Sequence, residues 1–305
     1  MKTFPKNLLL AAPLAGLALL AGCSAEKKMS PVDQIADGWK QYHVGEFDIG
    51  VRDFKTVADA QPVGSDLRIQ GLYGEASIWN DRRDARDPDH AVALYHQILK
   101  EAPNHSLAPW VSLDLVRVQH LAPAEQPLDW NKLAQEYGDV YRQYPASPAG
   151  EQAFMYRVNI LTNIAPKKQL PGVLKDMQDF LQAHPKSIYL GSLYGFMAAC
   201  CDRLGQEPER LDYMIKALGD TTAPQTGTDP TTSYAASYWA IAYAAEFEVG
   251  DFPVAREYYQ RLLKEYPTDV RVFASRKALV RMDAVEAALR AGQPLPRELA
   301  GGVAQ

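Results

Sequence analysis

The sequence is poor in the residues that build disulfide scaffolds and zinc sites. It has three cysteines in 305 residues: Cys23, and the adjacent pair Cys200 and Cys201 within an apolar run. Adjacent cysteines can pair only through a strained ring, and two cysteines cannot form a disulfide framework. We therefore expect Cys200 and Cys201 to be small buried side chains in a helix. A redox role is the alternative for this pair.

Signatures of catalysis are also missing. The six histidines are scattered, with no pair at the spacing of a helical zinc site. No glycine-rich phosphate loop is present, and the serine between Gly191 and Gly195 stands one place too early for a nucleophile elbow. We interpret these two glycines as a face on which two helices pack closely. The sequence predicts a protein that is not an enzyme and uses no metal or cofactor.

Long apolar runs are absent after the first 23 residues. Lys2 and Lys6 precede an apolar run from Leu8 to Leu20, and the run closes at Cys23. A membrane-spanning helix needs roughly 20 apolar residues, so this shorter run fits the hydrophobic region of a secretory signal peptide. An ordinary export signal followed by an incidental cysteine is the alternative.

The residues that close this run resemble a bacterial lipobox, with the sequence Leu20-Ala21-Gly22-Cys23. The resemblance implies that residues 1–22 are a lipoprotein signal peptide, that Cys23 is diacylated, and that residues 23–30 form a lipidated tether. Several lipid chains together hold a protein on a membrane without spanning it. Ser24 and Ala25 follow the cysteine, in place of the aspartate that resembles an inner-membrane retention signal. If the cell is Gram-negative, we expect a lipid-anchored protein of the outer membrane, on its periplasmic face; the cell surface is the alternative.

The charge of the chain argues against nucleic acid and anionic lipid as partners. Without Lys2 and Lys6, two of the 32 basic residues, the net charge moves from -5 to -7. Such a surface has no general attraction for nucleic acid, so no nucleic-acid partner is expected.

Prolines recur along the chain at intervals of about 40 residues, and one repeat unit lacks its proline. An interval of this length fits one helical hairpin and its connections. These prolines are Pro62, Pro103, Pro145, Pro185 and Pro267. Each follows an amphipathic run that ends in aromatic or apolar residues. Because proline cannot continue a helix, each one is expected to follow the end of the second helix of a pair.

Two of these units resemble the tetratricopeptide repeat (TPR). The landmarks of the last unit are Trp239, Gly250, Ala255, Tyr259 and Pro267, and the first unit has Gly45, Gly50, Phe54 and Pro62 in the same register. The first glycine permits the tight turn, the small residue lets the two helices approach, and the aromatic ring fills the space between hairpins. The resemblance implies an all-α fold: a right-handed superhelical solenoid of about six helix pairs with a C-terminal capping helix.

The repeat predicts where the helices lie. We expect pairs over residues 31–62, 65–103, 106–145, 149–185, 187–218 and 231–267, followed by a capping helix over 269–291 with a polar outer face. Residues 31–291 are thus expected to form one solenoid domain. A polar loop over 219–232 and a disordered tail over 292–305 complete the predicted organisation.

The resemblance also implies a binding surface. Partners of TPR proteins commonly lie in a concave groove that is lined by the first helix of each pair. Carried over by position, this places Trp39, Tyr42 and His43 of the first repeat and Phe247 of the last repeat in the groove. Aromatic anchors carry a large share of binding energy at protein interfaces. For Trp39 and Tyr42, packing against the preceding N-terminal segment or against the second hairpin is the alternative.

These features together predict a membrane-anchored TPR scaffold lipoprotein. Its plan is similar to that of outer-membrane assembly or pilotin-type TPR lipoproteins. The expected partners are envelope proteins in the groove and the membrane through the lipid on Cys23. The alternative is a lipoprotein that captures sugars for nutrient uptake. Resembling families carry an aromatic sugar platform on long loops, whereas the loop near residue 225 has no aromatic residue.

Overall fold

A computed structural model of the protein describes residues 29–82, 86–121, 127–219 and 233–294. The predicted signal peptide, Cys23, the predicted tether up to residue 28, the loop near residue 225 and the tail after residue 294 lie outside these ranges. Within them the chain is helical and no strand is present. No helix in the described part is both long and apolar enough to cross a membrane.

The helices follow one another in pairs joined by short connections. Their bounds are α1 (Pro31–Val44), α2 (Phe47–Ala60), α3 (Asp66–Asp81), α4 (Pro88–Glu101), α5 (Ala108–His120), α6 (Trp130–Gln143), α7 (Pro148–Ile164), α8 (Leu170–Ala183), α9 (Leu190–Leu204), α10 (Glu207–Ala217), α11 (Ala235–Tyr243), α12 (Phe252–Glu265) and α13 (Val272–Arg290). A 3-10 turn, Lys167–Gln169, precedes α8, and a π-helical segment, Ala244–Val249, continues α11.

Turns and caps explain why the helices begin and end at these residues. Gly45, Gly205 and Gly250 end first helices with a positive φ of 84°, 75° and 80°, a conformation that glycine adopts without steric cost. Five helices are preceded by a capping residue whose side chain accepts a hydrogen bond from a backbone amide of the first turn. These capping residues are Ser30, Asp87, Asp129, Ser147 and Asp251. These local signals fix the period of the fold.

The chain forms two compact units, Met1–Ala102 and Pro103–Gln305. In the first, α1, α2 and α3 pack around Phe54, whose side chain is fully buried. Glycines of the neighbouring helices make room for this ring: a Cβ on Gly38 would lie 2.9 Å from it, and a Cβ on Gly74 only 2.4 Å from it. A Cβ on Gly50 would lie 3.2 Å from the carbonyl oxygen of Gly38 on α1, so the two helices of this pair are close here, as the TPR landmark predicts.

In the second unit, aromatic rings fill the space between consecutive helices. Phe154 on α7 and Phe180 on α8 stack with ring centroids 4.3 Å apart and planes 8° from parallel. Near the C-terminal end of the unit, Tyr238, Tyr259 and Met282 are almost completely buried. The predicted all-α fold of helix pairs followed by a C-terminal helix is therefore confirmed. The assignment of residues 31–291 to one domain stays a prediction.

One detail of the predicted packing is wrong. A Cβ on Gly191 would lie 3.3 Å from the carbonyl oxygen of Ala217, which is a close approach of two helices. A Cβ on Gly195 would meet nothing within 4 Å, because this residue is exposed on α9. The two glycines therefore do not form one packing face.

Candidate protein-binding surfaces

Trp39 lies on α1 between the first two helix pairs. Its ring meets Phe54 of α2 at a centroid distance of 5.0 Å and Tyr73 of α3 at 6.2 Å. It is half-buried and packs against the core of the first unit. Much of this side chain therefore supports the fold, and only its remaining surface is available to a partner.

Tyr42, one helical turn further along α1, links this helix to the end of α3. Its hydroxyl donates a hydrogen bond to Asp81 Oδ2 at 2.9 Å. The ring packs edge-on against Trp39, with centroids 5.6 Å apart. His43 is exposed and contacts the ring of Tyr42 at 5.4 Å. Of the three predicted residues on α1, His43 is thus the one that lies openly at the surface.

Phe247, the predicted residue of the last repeat, is exposed and has an aromatic neighbour. Its ring and that of Tyr243 are 4.7 Å apart, and the two side chains are 43% and 45% exposed. The Arg281 guanidinium lies over Phe247 at 4.9 Å. Ala240, one turn before Tyr243, is also exposed. We call Ala240, Tyr243 and Phe247 the α11 patch.

Tyr243 was missed by the sequence analysis. It occupies the turn before Phe247, so helical spacing was a usable signal. The repeat register drew attention to Phe247 instead, and Ala244, which directly follows Tyr243, is buried.

A buried ion pair holds the α11 patch in place. The carboxylate of Glu246, in the π-helical segment, accepts hydrogen bonds from Arg281 Nε and Nη2, both at 2.8 Å, and from the Tyr259 hydroxyl at 3.0 Å. Burial, and then the nearby Glu246 charge, raise the pKa of Tyr259, so its hydroxyl keeps its proton. Because Arg281 also covers Phe247, one side chain links the core, α13 and the exposed ring. The patch is therefore preorganised.

A cleft of about 460 Å³ lies between α6 and α8, over α7. Its aromatic residues are Tyr141, Phe154 and Phe180, and its charged residues are Arg142, Arg157, Asp176 and Asp179. Gly138 leaves space for Arg157, since a Cβ there would lie 3.0 Å from Arg157 Cδ. The Tyr141 hydroxyl and His184 Nε2 are joined by a hydrogen bond of 3.1 Å at one side of the rings.

The charges around this cleft are already paired. Arg157 bonds Asp176 at 2.9 Å, and Lys175 bonds Asp179 at 2.7 Å. Phe154 and Phe180 are 2% and 1% exposed, so a ligand ring cannot stack on them. The cleft therefore offers no free charge, and of its three aromatic rings only that of the half-buried Tyr141 remains open to a ligand.

The two described cysteines are fully buried and unpaired with each other. Burial raises the pKa of both thiols, that of Cys201 to about 11. A thiol with a raised pKa holds little thiolate near neutral pH and reacts slowly. The expectation that they are small buried side chains is confirmed.

Histidines do not cluster in the described part of the chain. His120 is enclosed by the rings of Trp130, Tyr137 and Tyr156, and burial lowers its pKa. A hydrogen bond of 2.9 Å joins its Nδ1 to the Tyr137 hydroxyl. Among the described residues, no group of three or more His, Cys, Asp or Glu side chains is placed to hold a metal ion.

Comparison with known proteins gives likenesses to solved structures only. No protein-family model matches the sequence, and no curated protein matches it. A solved structure of the assembly chaperone of RpL4 (Acl4), residues 1–338, is similar in backbone with a TM-score of 0.45 and 14% sequence identity. The alignment covers 85% of this chain and all of that one.

Proposed function

We propose that the chain is a helical-repeat scaffold that binds other proteins of the cell envelope and is anchored in the outer membrane through a lipid on Cys23. The lipobox-like end of the N-terminal apolar run supports the anchor, and the repeated helix pairs support the scaffold. Solenoids of helix pairs present extended surfaces that suit protein partners.

The α11 patch is the observation that carries the binding proposal. Most large apolar side chains of the described residues are buried, whereas Tyr243 and Phe247 expose nearly half of their surface side by side. Aromatic side chains of this kind bury a large area at little entropic cost and are frequent hot spots of protein interfaces. Since Glu246 and Arg281 hold the patch rigid, a partner loses little free energy in ordering it.

The residues on α1 belong to the same proposal. His43 is exposed, and Trp39 and Tyr42 are half-buried, so they form a second contact region within the first unit. The paired charges and buried rings of the cleft on α6 to α8 give no comparable support to sugar capture.

A quantitative pull-down from solubilised envelope tests the proposal. We expect Tyr243→Ala/Phe247→Ala to reduce recovery of specific partners by about tenfold or more, since each hot-spot aromatic contributes about 2 kcal/mol. His43→Ala tests the α1 region without disturbing the core. Ile188→Ala is the matched control, because Ile188 is an apolar side chain 88% exposed elsewhere in the second unit. Equal recovery by the double variant and the wild type contradicts the proposal.

The anchor is tested separately by labelling with an alkyne fatty acid. The wild type should be labelled and fractionate with outer membranes, whereas Cys23→Ser should be unlabelled. If Cys23→Ser keeps both its label and its membrane fractionation, the lipid is not attached at this residue.

A further inference from the structure

The last helix, α13, exposes an apolar stripe where a polar cap was expected. Phe273 and Val280 are 68% and 69% exposed, and Ala284, one turn beyond Val280, is also exposed. Two exposed cations, Arg276 and Lys277, lie between Phe273 and Val280 in the sequence. We call these five residues the outer stripe of α13.

The opposite side of α13 is fixed to the second unit. Ser275, Ala278 and Met282 are buried on that side. Arg256 of α12 bonds Asp283 at 2.6 Å and Glu286 at 3.0 Å. The helix is therefore held by contacts that leave its outer stripe free, and a partner meets a preformed surface.

The cations of the outer stripe lack acidic partners in the described part of the chain. Asp283 and Glu286, acidic residues of α13, are engaged with Arg256. Lys277 Nζ instead lies over the Phe273 ring at 4.6 Å, and Arg276 forms no ion pair with a described residue. In a chain of net charge -5, this is a local positive surface next to apolar side chains. Its complement is an acidic apolar surface.

The repeat itself indicates the shape of that complement. Each earlier first helix of the second unit, namely α5, α7, α9 and α11, packs against the helix that follows it. No further helix follows α13 in the described residues. Phe273, Val280 and Ala284 have the spacing of one helical face, which suits a helix lying along it.

We propose that the outer stripe of α13 binds an acidic amphipathic helix of a partner protein. The partner's apolar face covers Phe273, Val280 and Ala284, and carboxylates at its edges pair with Arg276 and Lys277. A second copy of this chain fits less well, because symmetric pairing would bring the same cations together. An anionic membrane surface fits less well too, since two cations give only weak attraction. This proposal does not depend on the α11 patch.

Binding of synthetic peptides by fluorescence anisotropy tests the proposal. The probe is a helical peptide with leucines on one face and glutamates along both edges, compared with the same peptide carrying lysines. We expect the glutamate peptide to bind about tenfold or more tightly than the lysine peptide. Phe273→Ser/Val280→Ser should abolish binding. Leu289→Ser is the matched control, because Leu289 is 63% exposed on the same helix but lies away from the stripe.

A charge reversal makes the test specific. Arg276→Glu/Lys277→Glu should invert the preference, so that the lysine peptide binds more tightly. Equal binding of both peptides, or an unchanged preference after charge reversal, overturns the proposal. Two other results also overturn it. One is binding of the protein alone to phosphatidylglycerol vesicles, if Phe273→Ser/Val280→Ser removes that binding. The other is a dimer in sedimentation velocity, if the same double variant is a monomer.

Discussion

Gly74 leaves the space that the Phe54 ring occupies, since a Cβ at Gly74 would lie 2.4 Å from Phe54 Cε1. Phe54 is fully buried, so the ring cannot move aside without disturbing its other neighbours. We expect Gly74→Ala to lower the free energy of unfolding by about 1–3 kcal/mol, as overpacking does. Chemical denaturation monitored by circular dichroism measures this change.

Gly195→Ala is the control for that substitution. A Cβ on Gly195 meets nothing within 4 Å on an exposed helix surface. Alanine should therefore stabilise α9 by up to about 1 kcal/mol through helix propensity alone. Equal effects of the two substitutions would mean that the Gly74–Phe54 contact does not limit packing.

The Arg68–Glu101 ion pair predicts a dependence of stability on pH. Arg68 Nε donates to Glu101 Oε2 at 2.9 Å, and this bond holds the pKa of Glu101 at about 2, below its ordinary value of 4.5. The contribution of this ion pair to the free energy of unfolding is therefore complete above about pH 4.5 and is lost as the pH falls through about 2. At pH 7 we expect Glu101→Gln to cost about 1–3 kcal/mol, with the difference from the wild type shrinking in acid.

An exposed ion pair serves as the comparison. Lys216 and Asp212 are 2.6 Å apart but about half exposed. Asp212→Asn should change the free energy of unfolding by less than about 1 kcal/mol. A difference for Glu101→Gln that stays constant from pH 7 to 2 would contradict the assigned pKa.

The Glu246–Arg281 pair predicts a large effect of removing one partner. Arg281→Met leaves the Glu246 carboxylate buried without its cation, which costs about 3–5 kcal/mol. Adding Glu246→Gln to Arg281→Met should recover part of this loss, because the double variant no longer buries an unpaired carboxylate and the effects of two contacting residues are not additive. Arg290→Met, at a side chain 77% exposed, should change stability by about 0.5 kcal/mol at most. Urea denaturation of these three variants and the wild type checks this order.

The buried thiols predict slow chemical labelling. In a Cys23→Ser background, Cys200 and Cys201 should not react with a thiol reagent at pH 8 unless the protein is unfolded. Ala199→Cys places a thiol at the exposed neighbouring position and should react at the rate of a free thiol. Rapid labelling of the native pair would show that α9 opens on that timescale.

The sequence predicts the helix ends well because the signals for them are local. α2 ends at Ala60, α4 at Glu101 and α12 at Glu265, and each proline follows two residues later, at Pro62, Pro103 and Pro267. Proline restricts the residue before it and lacks an amide hydrogen, so its effect does not depend on distant residues.

The surface residues were harder to predict because their exposure depends on other helices. Tyr42 bonds Asp81, which is 39 residues away, and Trp39 packs on Tyr73 of α3. The π-helical segment that contains Glu246 and Phe247 has no simple sequence signature either. The repeat register identified Phe247, but only the packing of α13 against α12 explains how Arg281 reaches it.

The pairing of each helix with its neighbour in sequence has a kinetic consequence. Chains dominated by local contacts fold quickly, because little loop entropy is lost before each pair forms. Cys200 and Cys201 are accessible only until α9 docks against α8 and α10. In an oxidising compartment, the time available for mispairing of these thiols is therefore set by the folding rate of two adjacent hairpins. A slow-folding variant would accumulate mixed disulfides even though its native state exposes neither sulfur atom.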